Sequence, residues 1–276
     1  MKVYAFADEA SPNIDKQIEA MLENHLDGLE IRNVDGVNIA DITEAKAYEV
    51  RNKMDSAGLK VWSVGSPIGK IDIENAKEHA EKFKNVLKTA QILGAENIRI
   101  FSYFMPDGFD AANYKDTVTD SLKRLLEMSV STGITLCHEN EKGIYGDIPE
   151  RCLEIHEAIP EIRAVFDPAN YIQCGADTLA AWKLIKPYVK YLHIKDALAD
   201  GSVVPAGMGI GNLEYILNDF KKIGDSVTIE PHLSVFEGLD KLENTKDKSV
   251  VGRKYVYPTN RAAFNAAVEA FNKIKR

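Results

Sequence analysis

Four side chains able to bind a metal lie at the ends of short apolar runs in the second half of the chain. They are three carboxylates and one imidazole: Glu139, Asp167, His193 and Glu230. Such groups cannot converge in a partly dry site without strong repulsion unless a cation lies among them. Three oxygen ligands and one nitrogen favour Mn²⁺, Mg²⁺ or Co²⁺, and zinc and iron are also compatible with this set. The spacing therefore predicts one divalent metal ion as the cofactor.

The alternation of side chains along a strand gives the four groups a common direction. Neighbouring side chains of a strand point to opposite faces, so an inward Glu139 turns Leu136 and His138 outward. The same alternation on the other three runs turns apolar residues outward. His138 is the one polar residue in this otherwise mostly apolar outward set. Taken singly, each of the four is more simply a helix N-cap or a structural hydrogen-bonding group. Their combination on consecutive runs favours the metal.

Further polar residues lie near the same strand ends. Lys195 shares its strand face with the histidine, and is a candidate either to stabilise a developing oxyanion or to form a structural ion pair. His232 is a candidate substrate contact, and Glu141 is a candidate to support the metal ligands. Arg32 and Glu9 could contact substrate from the opposite wall, with structural pairing as the alternative. We therefore group His232, Glu141, Arg32 and Glu9 as predicted substrate-binding residues.

These side chains need a framework in which many strand ends meet. Eight short apolar runs alternate with longer segments that have apolar residues at helical spacing. The pattern predicts a parallel sheet closed into one (β/α)8 TIM barrel domain over residues 1–276, with an open doubly wound sheet as the competing arrangement. The C-terminal strand ends of such barrels form the active site. The predicted strands are 3–6, 28–31, 60–64, 97–101, 134–138, 163–166, 189–194 and 226–230, and the predicted helices include 14–26, 79–93, 117–130 and 260–274.

Two irregular segments each allow two interpretations. The stretch PAGMGIGN contains Gly207, Gly209 and Gly211 ahead of a predicted helix that begins at Asn212. Its backbone amides could bind a phosphate, although a tight loop is the simpler interpretation. The segment 232–258 is rich in Lys, Asp and Glu, and is either a lid or wall of the active site or a solvated excursion.

The composition narrows the classes of partner and compartment. The chain of 276 residues has a formal net charge of -8, which disfavours nucleic acid as a partner. Its three cysteines, Cys137, Cys152 and Cys174, form no close pair and predict neither a disulfide framework nor a zinc knuckle. No apolar run approaches the ~18 to 20 residues that a membrane span needs. We therefore expect a cytoplasmic protein with no membrane partner.

Six stretches of the sequence resemble the xylose isomerase-like barrel superfamily, in particular its sugar phosphate isomerase/epimerase branch. They are GLEIRNVDG, HENEKGIYGD, FDPANYIQCG, YLHIKDA, PAGMGIGN and TIEPHL. The resemblance implies that Glu139, Asp167, His193 and Glu230 bind a divalent metal, and that the substrate is a sugar or polyol. It also implies that the metal grips two substrate oxygens and stabilises an enediolate as a carbon-bound proton leaves.

The resemblance further implies which residues perform catalysis. Glu139 and Glu230 correspond to the two glutamates that move protons on opposite faces of the substrate in related epimerases. With Lys195 they form the predicted catalytic set. Relatives are often dimers or tetramers, so the analogy leaves a homo-oligomer open.

Three other functions remain open at this point. An inosose-type dehydratase forms the same sort of enolate and then expels hydroxide. An apurinic endonuclease uses a multi-zinc cluster rich in histidine, whereas this chain has six histidines, of which His25, His79 and His156 fall on predicted helices. A non-catalytic barrel that binds a sugar or serves as a subunit would not need the four ligands, which are intact.

Overall fold

Eight parallel strands form a closed barrel in the computed structural model, which describes residues 1–106, 108, 110–235 and 255–275. Each strand pairs with its neighbours in chain order, and the first strand closes the barrel by pairing with the eighth. The predicted (β/α)8 barrel is confirmed, and every predicted strand is present with bounds that differ by one residue at most. The strands are β1 Lys2–Ala5, β2 Gly28–Ile31, β3 Lys60–Gly65, β4 Asn97–Ile100, β5 Thr135–Glu139, β6 Arg163–Phe166, β7 Val189–Ile194 and β8 Ser226–Ile229.

Nine α-helices of the described residues accompany the barrel strands. Several begin at a side chain that caps the first turn, such as Thr43, Asp177 and Thr259. His25 was predicted to lie on a helix, but it follows the end of the first helix with a φ of 53°. The helices are α1 Ile14–Glu23, α2 Glu44–Ser56, α3 Ala76–Leu93, α4 Lys115–Ser129, α5 Pro149–Ala158, α6 Pro168–Gln173, α7 Thr178–Ile185, α8 Leu213–Phe220 and α9 Asn260–Ile274.

The barrel strands separate two apolar layers, which confirms the predicted phase. The outward residues of β5 to β8 join the helices in the large core, for example Leu136, Phe166 and Ile229. A smaller cluster fills the bore, where Tyr4 stacks on Trp62 with ring centroids 4.9 Å apart. Burying a large apolar side chain contributes about 1.5–3 kcal/mol. The strand phase, and with it the direction of the site residues, is therefore set by many independent contacts.

The glycine-rich loop binds a carboxylate of the chain itself. Asp196 Oδ2 accepts hydrogen bonds from the amides of Gly207 and Gly209 at 2.9 and 3.0 Å, and Oδ1 accepts from those of Gly211 and Ala197, both at 2.9 Å. A Cβ at Gly209 would lie 2.3 Å from Asp196 Oδ1, so the close approach requires glycine. The tight-loop interpretation is therefore the one that the structure supports, because these amides already have an acceptor.

Four further sequence predictions concern the cysteines, a membrane span, the segment 232–258 and the domain boundary. All three cysteines are free thiols. Among the described residues, no helix is long and apolar enough to span a bilayer. Most of the segment 232–258 lies outside the described residues, so its role as a lid or wall stays a prediction, as does the boundary of the single domain.

Replacing Asp196 by asparagine should lower the free energy of unfolding by about 2–6 kcal/mol. Asparagine keeps one acceptor oxygen, so two of the four amides lose their acceptor. Each buried amide left without an acceptor costs roughly 1–3 kcal/mol. Chemical denaturation measures this change. The control is Asp200→Asn, because Asp200 is exposed and accepts one bond from Ser202 N at 2.9 Å, and surface changes usually stay within about 0.5 kcal/mol. Equal stability of the two variants would contradict the account of the loop.

Candidate metal centre

The four predicted metal ligands meet in one buried cluster at the C-terminal ends of β5 to β8. Glu139 ends β5, Asp167 follows β6, His193 lies in β7 and Glu230 follows β8. Their candidate ligand atoms all lie within 4.8 Å of one another, and each side chain is at most 4% exposed. The structure thus brings together the whole set that the sequence pattern indicated.

The spacing within this cluster fits a single metal ion. Ligand atoms bound at roughly 2.1 Å to an octahedral ion are ~3.0 Å apart when adjacent and ~4.2 Å apart when opposite. His193 Nδ1 lies 2.9 Å from Glu139 Oε1, 3.3 Å from Glu230 Oε2 and 3.9 Å from Asp167 Oδ2. Asp167 Oδ2 is buried and accepts no hydrogen bond of normal geometry, although Lys195 Nζ lies 2.8 Å away. A metal ion would give this oxygen a second cationic partner beside Lys195.

Two asparagines hold Asp167 in place. Asn140 donates to the carbonyl of Asp167 at 2.9 Å and accepts from its amide at 3.0 Å. Asp167 Oδ1 caps α6 by accepting from the amide of Asn170 at 2.9 Å, and Asn170 Nδ2 donates to Glu139 Oε1 at 3.4 Å. Because the cap uses only Oδ1, the other oxygen faces the cluster. Asp167 is therefore a helix cap and a member of the cluster at the same time.

Two buried cations offset part of the negative charge of the cluster. Lys195 Nζ lies 2.8 Å from Asp167 Oδ2 and 2.9 Å from Glu230 Oε2. Arg99 Nη1 lies 3.2 Å from Glu139 Oε2. The structural ion pair predicted as one alternative for Lys195 is present, and it places the ammonium group against two of the three carboxylates of the cluster.

The carboxylates of the cluster respond differently to their burial. Burial acts to raise the pKa of Glu139, but His193 and the nearby arginine outweigh it and lower that pKa. For Glu230 the effect of burial is likewise overcome, mainly by Lys195, and the pKa falls well below its usual range. Burial dominates at Asp167 and raises its pKa to about 7, where Lys195 opposes the shift and the two glutamates add to it. Asp167 is thus the carboxylate whose ionisation would gain most from a further cation.

A second group of charged residues lies against the cluster on the side of β1 and β2. Arg32 donates to the two oxygens of Asp8 at 2.9 and 3.0 Å, to Glu9 Oε1 at 3.1 Å and to Glu230 Oε1 at 3.4 Å. The amide of His232 donates to Glu9 Oε2 at 2.6 Å. Burial raises the pKa of Glu9 to about 8, against the opposing effect of Arg32. The predicted substrate-binding residues Arg32, Glu9 and His232 therefore lie beside the candidate metal ligands.

This second group is a weaker candidate for a metal. Ligand atoms of Glu9, Glu230 and His232 also lie within 4.8 Å of one another. The guanidinium of Arg32 already contacts both of these carboxylates. Because both carboxylates of this group are already paired with Arg32 and the group offers three candidate ligands against four, the first cluster is the better candidate for a metal.

Glu141 lies farther toward solvent than the other predicted site residues. Its carboxylate is 2.7 Å from Lys70 Nζ, with the two side chains 20% and 14% exposed respectively. Lys70 also lies over the ring of Phe101, at 4.5 Å from the centroid. Glu141 is thus placed at the rim, in an ion pair and not in contact with the four ligands among the interactions that the structure describes.

The sequence pattern did not reveal Glu30, Arg99 or Asp8 as members of the site. Glu30 and Arg99 are fully or almost fully buried charges within β2 and β4. Each lies between apolar residues in a short strand, in GLEI and NIRI. A charged residue in such a run is costly to bury unless it is paired, and this signal could have identified both.

Comparisons with known proteins agree with the fold. A model of the xylose isomerase-like TIM barrel family matches residues 18–246. Among solved structures, an IolI protein with a bound zinc atom is 16% identical with a TM-score of 0.77, over 100% of this chain and 98% of that one. The probable 3-DHS dehydratase AsbF of Bacillus anthracis is 13% identical with a TM-score of 0.73, over 99% of each chain.

A third solved structure is that of a sugar epimerase with a bound sugar. The D-psicose 3-epimerase of Clostridium cellulolyticum H10, in complex with D-tagatose, is 15% identical with a TM-score of 0.72, over 100% of both chains. At these identities the structural likeness establishes the fold alone. No curated protein matches the chain in sequence.

Proposed function

Because the chain belongs to the xylose isomerase-like TIM barrel family, we propose that it is a divalent-metal-dependent isomerase or epimerase of a sugar or sugar derivative. The observation that supports this most is the buried cluster of Glu139, Asp167, His193 and Glu230. The activity of the D-psicose 3-epimerase, a protein of the same fold, motivates the class of substrate.

In this proposal the four residues of the cluster hold one metal ion, with Mn²⁺, Mg²⁺ or Co²⁺ favoured by the three carboxylates. Zinc and iron remain compatible, and the zinc atom of the IolI protein is a precedent in this fold. When bound, a divalent cation supplies a Lewis acid that polarises a substrate carbonyl and stabilises negative charge on neighbouring oxygens.

Glu139 and Glu230 are the proposed proton-transfer residues. They enter the cluster from β5 and β8, with β6 and β7 between them, so they approach a common point from two sides. One carboxylate would take a proton from a substrate carbon while the other returns a proton to the opposite face or to the neighbouring carbon. A general base must reach its proton within hydrogen-bond distance, which a substrate lying over the cluster would allow.

Lys195 is the proposed donor to the oxygen that gains charge. Its ammonium group lies 2.8 Å from Asp167 and 2.9 Å from Glu230, so it is buried within reach of the same point. Arg32, Glu9 and His232 would contact the substrate from the wall beside Glu230. Glu141 would do so from the rim.

The structure gives little support for a phosphorylated sugar as the substrate. The loop that could have bound a phosphate through its amides is occupied by the carboxylate of Asp196. The loop therefore gives no reason to prefer a sugar phosphate over a free sugar or polyol.

The alternative enzyme is a dehydratase of the inosose type. Such an enzyme starts with the same abstraction of a carbon-bound proton and then loses hydroxide. The probable 3-DHS dehydratase AsbF is a precedent for a dehydratase on this fold. An apurinic endonuclease is disfavoured, because each metal-capable group found in the described residues contains a single histidine.

Turnover of a panel of free ketoses and keto-inositols by the Mn²⁺-loaded protein tests the proposed reaction. We expect an isomer or epimer of equal mass and, in D₂O, deuterium incorporation at the carbon that exchanges its proton. NMR and mass spectrometry of the products measure both. Products that have all lost one water would instead establish the dehydratase, and nicking of abasic DNA would support the repair enzyme.

Glu139→Gln and Glu230→Gln should each reduce kcat by about 10²–10⁴-fold, because general base catalysis contributes roughly that factor. The unfolding of the metal-free protein should change little, since the loss of one ion pair is offset by relief of repulsion among the remaining carboxylates. Steady-state kinetics and thermal denaturation measure the two effects.

The matched control for these variants is Glu150→Gln, which changes an exposed glutamate at the start of α5. It should retain the activity of the unmodified protein. Full activity of the Glu139 or Glu230 variant would contradict the catalytic assignment and favour a barrel that only binds its ligand.

A further inference from the structure

We propose that Glu30 is a positioning residue that determines which nitrogen of His193 is available to a metal. Glu30 Oε2 lies 3.1 Å from His193 Nε2, while Nδ1 of the same ring faces the cluster at 2.9 Å from Glu139 Oε1. The inference rests on the proposed metal site and adds a residue that the proposed function does not use.

The contact between Glu30 and His193 crosses the bore of the barrel. Glu30 is on β2 and His193 on β7, and β1 and β8 lie between these strands in the sheet. Both side chains are completely buried. A hydrogen bond to a carboxylate in a dry environment is stronger than the same bond in water, so it restrains the ring firmly.

Glu30 is itself held by two buried hydroxyl groups. Tyr191 donates to Glu30 Oε1 at 2.7 Å and Ser63 donates to the same oxygen at 3.2 Å. Because these donors occupy Oε1, the other oxygen is directed to the histidine. The ring of His193 is also bounded by aromatic rings, with the centroid of Phe6 at 5.3 Å and that of Tyr191 at 5.6 Å.

The chemistry of the two partners then selects one tautomer. A carboxylate can only accept a hydrogen bond, whereas a neutral imidazole has one N–H and one nitrogen with a free lone pair. A cation bound among the four ligands would exclude a proton from Nδ1, and Glu30, which can only accept, would then hold the one remaining ring proton on Nε2. A metal binds the nitrogen that has the lone pair, and the hydrogen bond at the other nitrogen determines which one that is.

Glu30→Gln tests whether Glu30 determines the tautomer of His193. If the glutamine carbonyl oxygen stays with the two hydroxyl donors, its amide N–H faces His193 Nε2 and favours the proton on Nδ1. We expect the affinity for Mn²⁺ to fall about 10- to 100-fold, the usual cost of losing such an outer partner. Isothermal titration of the full chain with MnCl₂ measures the affinity.

Two further variants serve as controls for the titration. Asp8→Asn removes a buried carboxylate that pairs with Arg32, so it tests the effect of losing one negative charge near the site. Tyr191→Phe keeps Glu30 and removes one of its two hydroxyl donors, which should weaken Mn²⁺ binding less than Glu30→Gln does. It also provides a milder test if the glutamine variant fails to fold.

The tautomer is read directly from the unmodified protein by ¹⁵N NMR of histidine in the Zn²⁺-loaded state. We expect the proton of His193 on Nε2. A proton on Nδ1, Mn²⁺ affinity of Glu30→Gln within twofold of the unmodified protein, or equal losses in Glu30→Gln and Asp8→Asn would each overturn the positioning role. An unmodified protein that binds neither metal would instead contradict the proposed function, and the inference with it.

Discussion

The concentration of buried negative charge at one end of the barrel is the constraint on which the site depends. Six buried carboxylates meet three buried cationic side chains there, namely Asp8, Glu9, Glu30, Glu139, Asp167 and Glu230 with Arg32, Arg99 and Lys195. An uncompensated buried charge costs several kcal/mol. The ion pairs among these residues and with His193 reduce this cost, and the raised pKa values of Asp167 and Glu9 show where compensation is least complete. In the proposed function, a divalent cation in the cluster would supply the missing compensation at Asp167.

The barrel makes such a concentration tolerable, because the rest of the fold does not depend on it. The outward side chains of the strands pack with the helices in one large apolar core, and a separate aromatic cluster fills the bore. Near the site, the carboxylate of Asp196 likewise accepts hydrogen bonds from the amides of the glycine-rich loop and so stabilises that loop. The polar residues at the strand ends are thus held on a framework whose stability comes from elsewhere.

The parts of this structure that could be predicted are those set by local periodicity. Short apolar runs between segments of helical spacing predicted the eight strands, and the period-two alternation within a strand predicted a common direction for Glu139 and its partners. Contacts across the bore could not be predicted, because they depend on how the strands are staggered. The pairing of β2 with β3 shifts register between Leu29 and Glu30, which places Glu30 opposite Ser63. No local sequence pattern indicates such a register shift, so the contact between Glu30 and His193 could be identified only from the three-dimensional structure.

Anomalous diffraction from crystals of this protein soaked in MnCl₂ tests the central claim most directly. We expect one strong manganese peak bounded by Glu139, Asp167, His193 and Glu230, with Nδ1 of the histidine as the nitrogen ligand. A peak at another place, or the absence of any peak among these four side chains at saturating manganese, would contradict it.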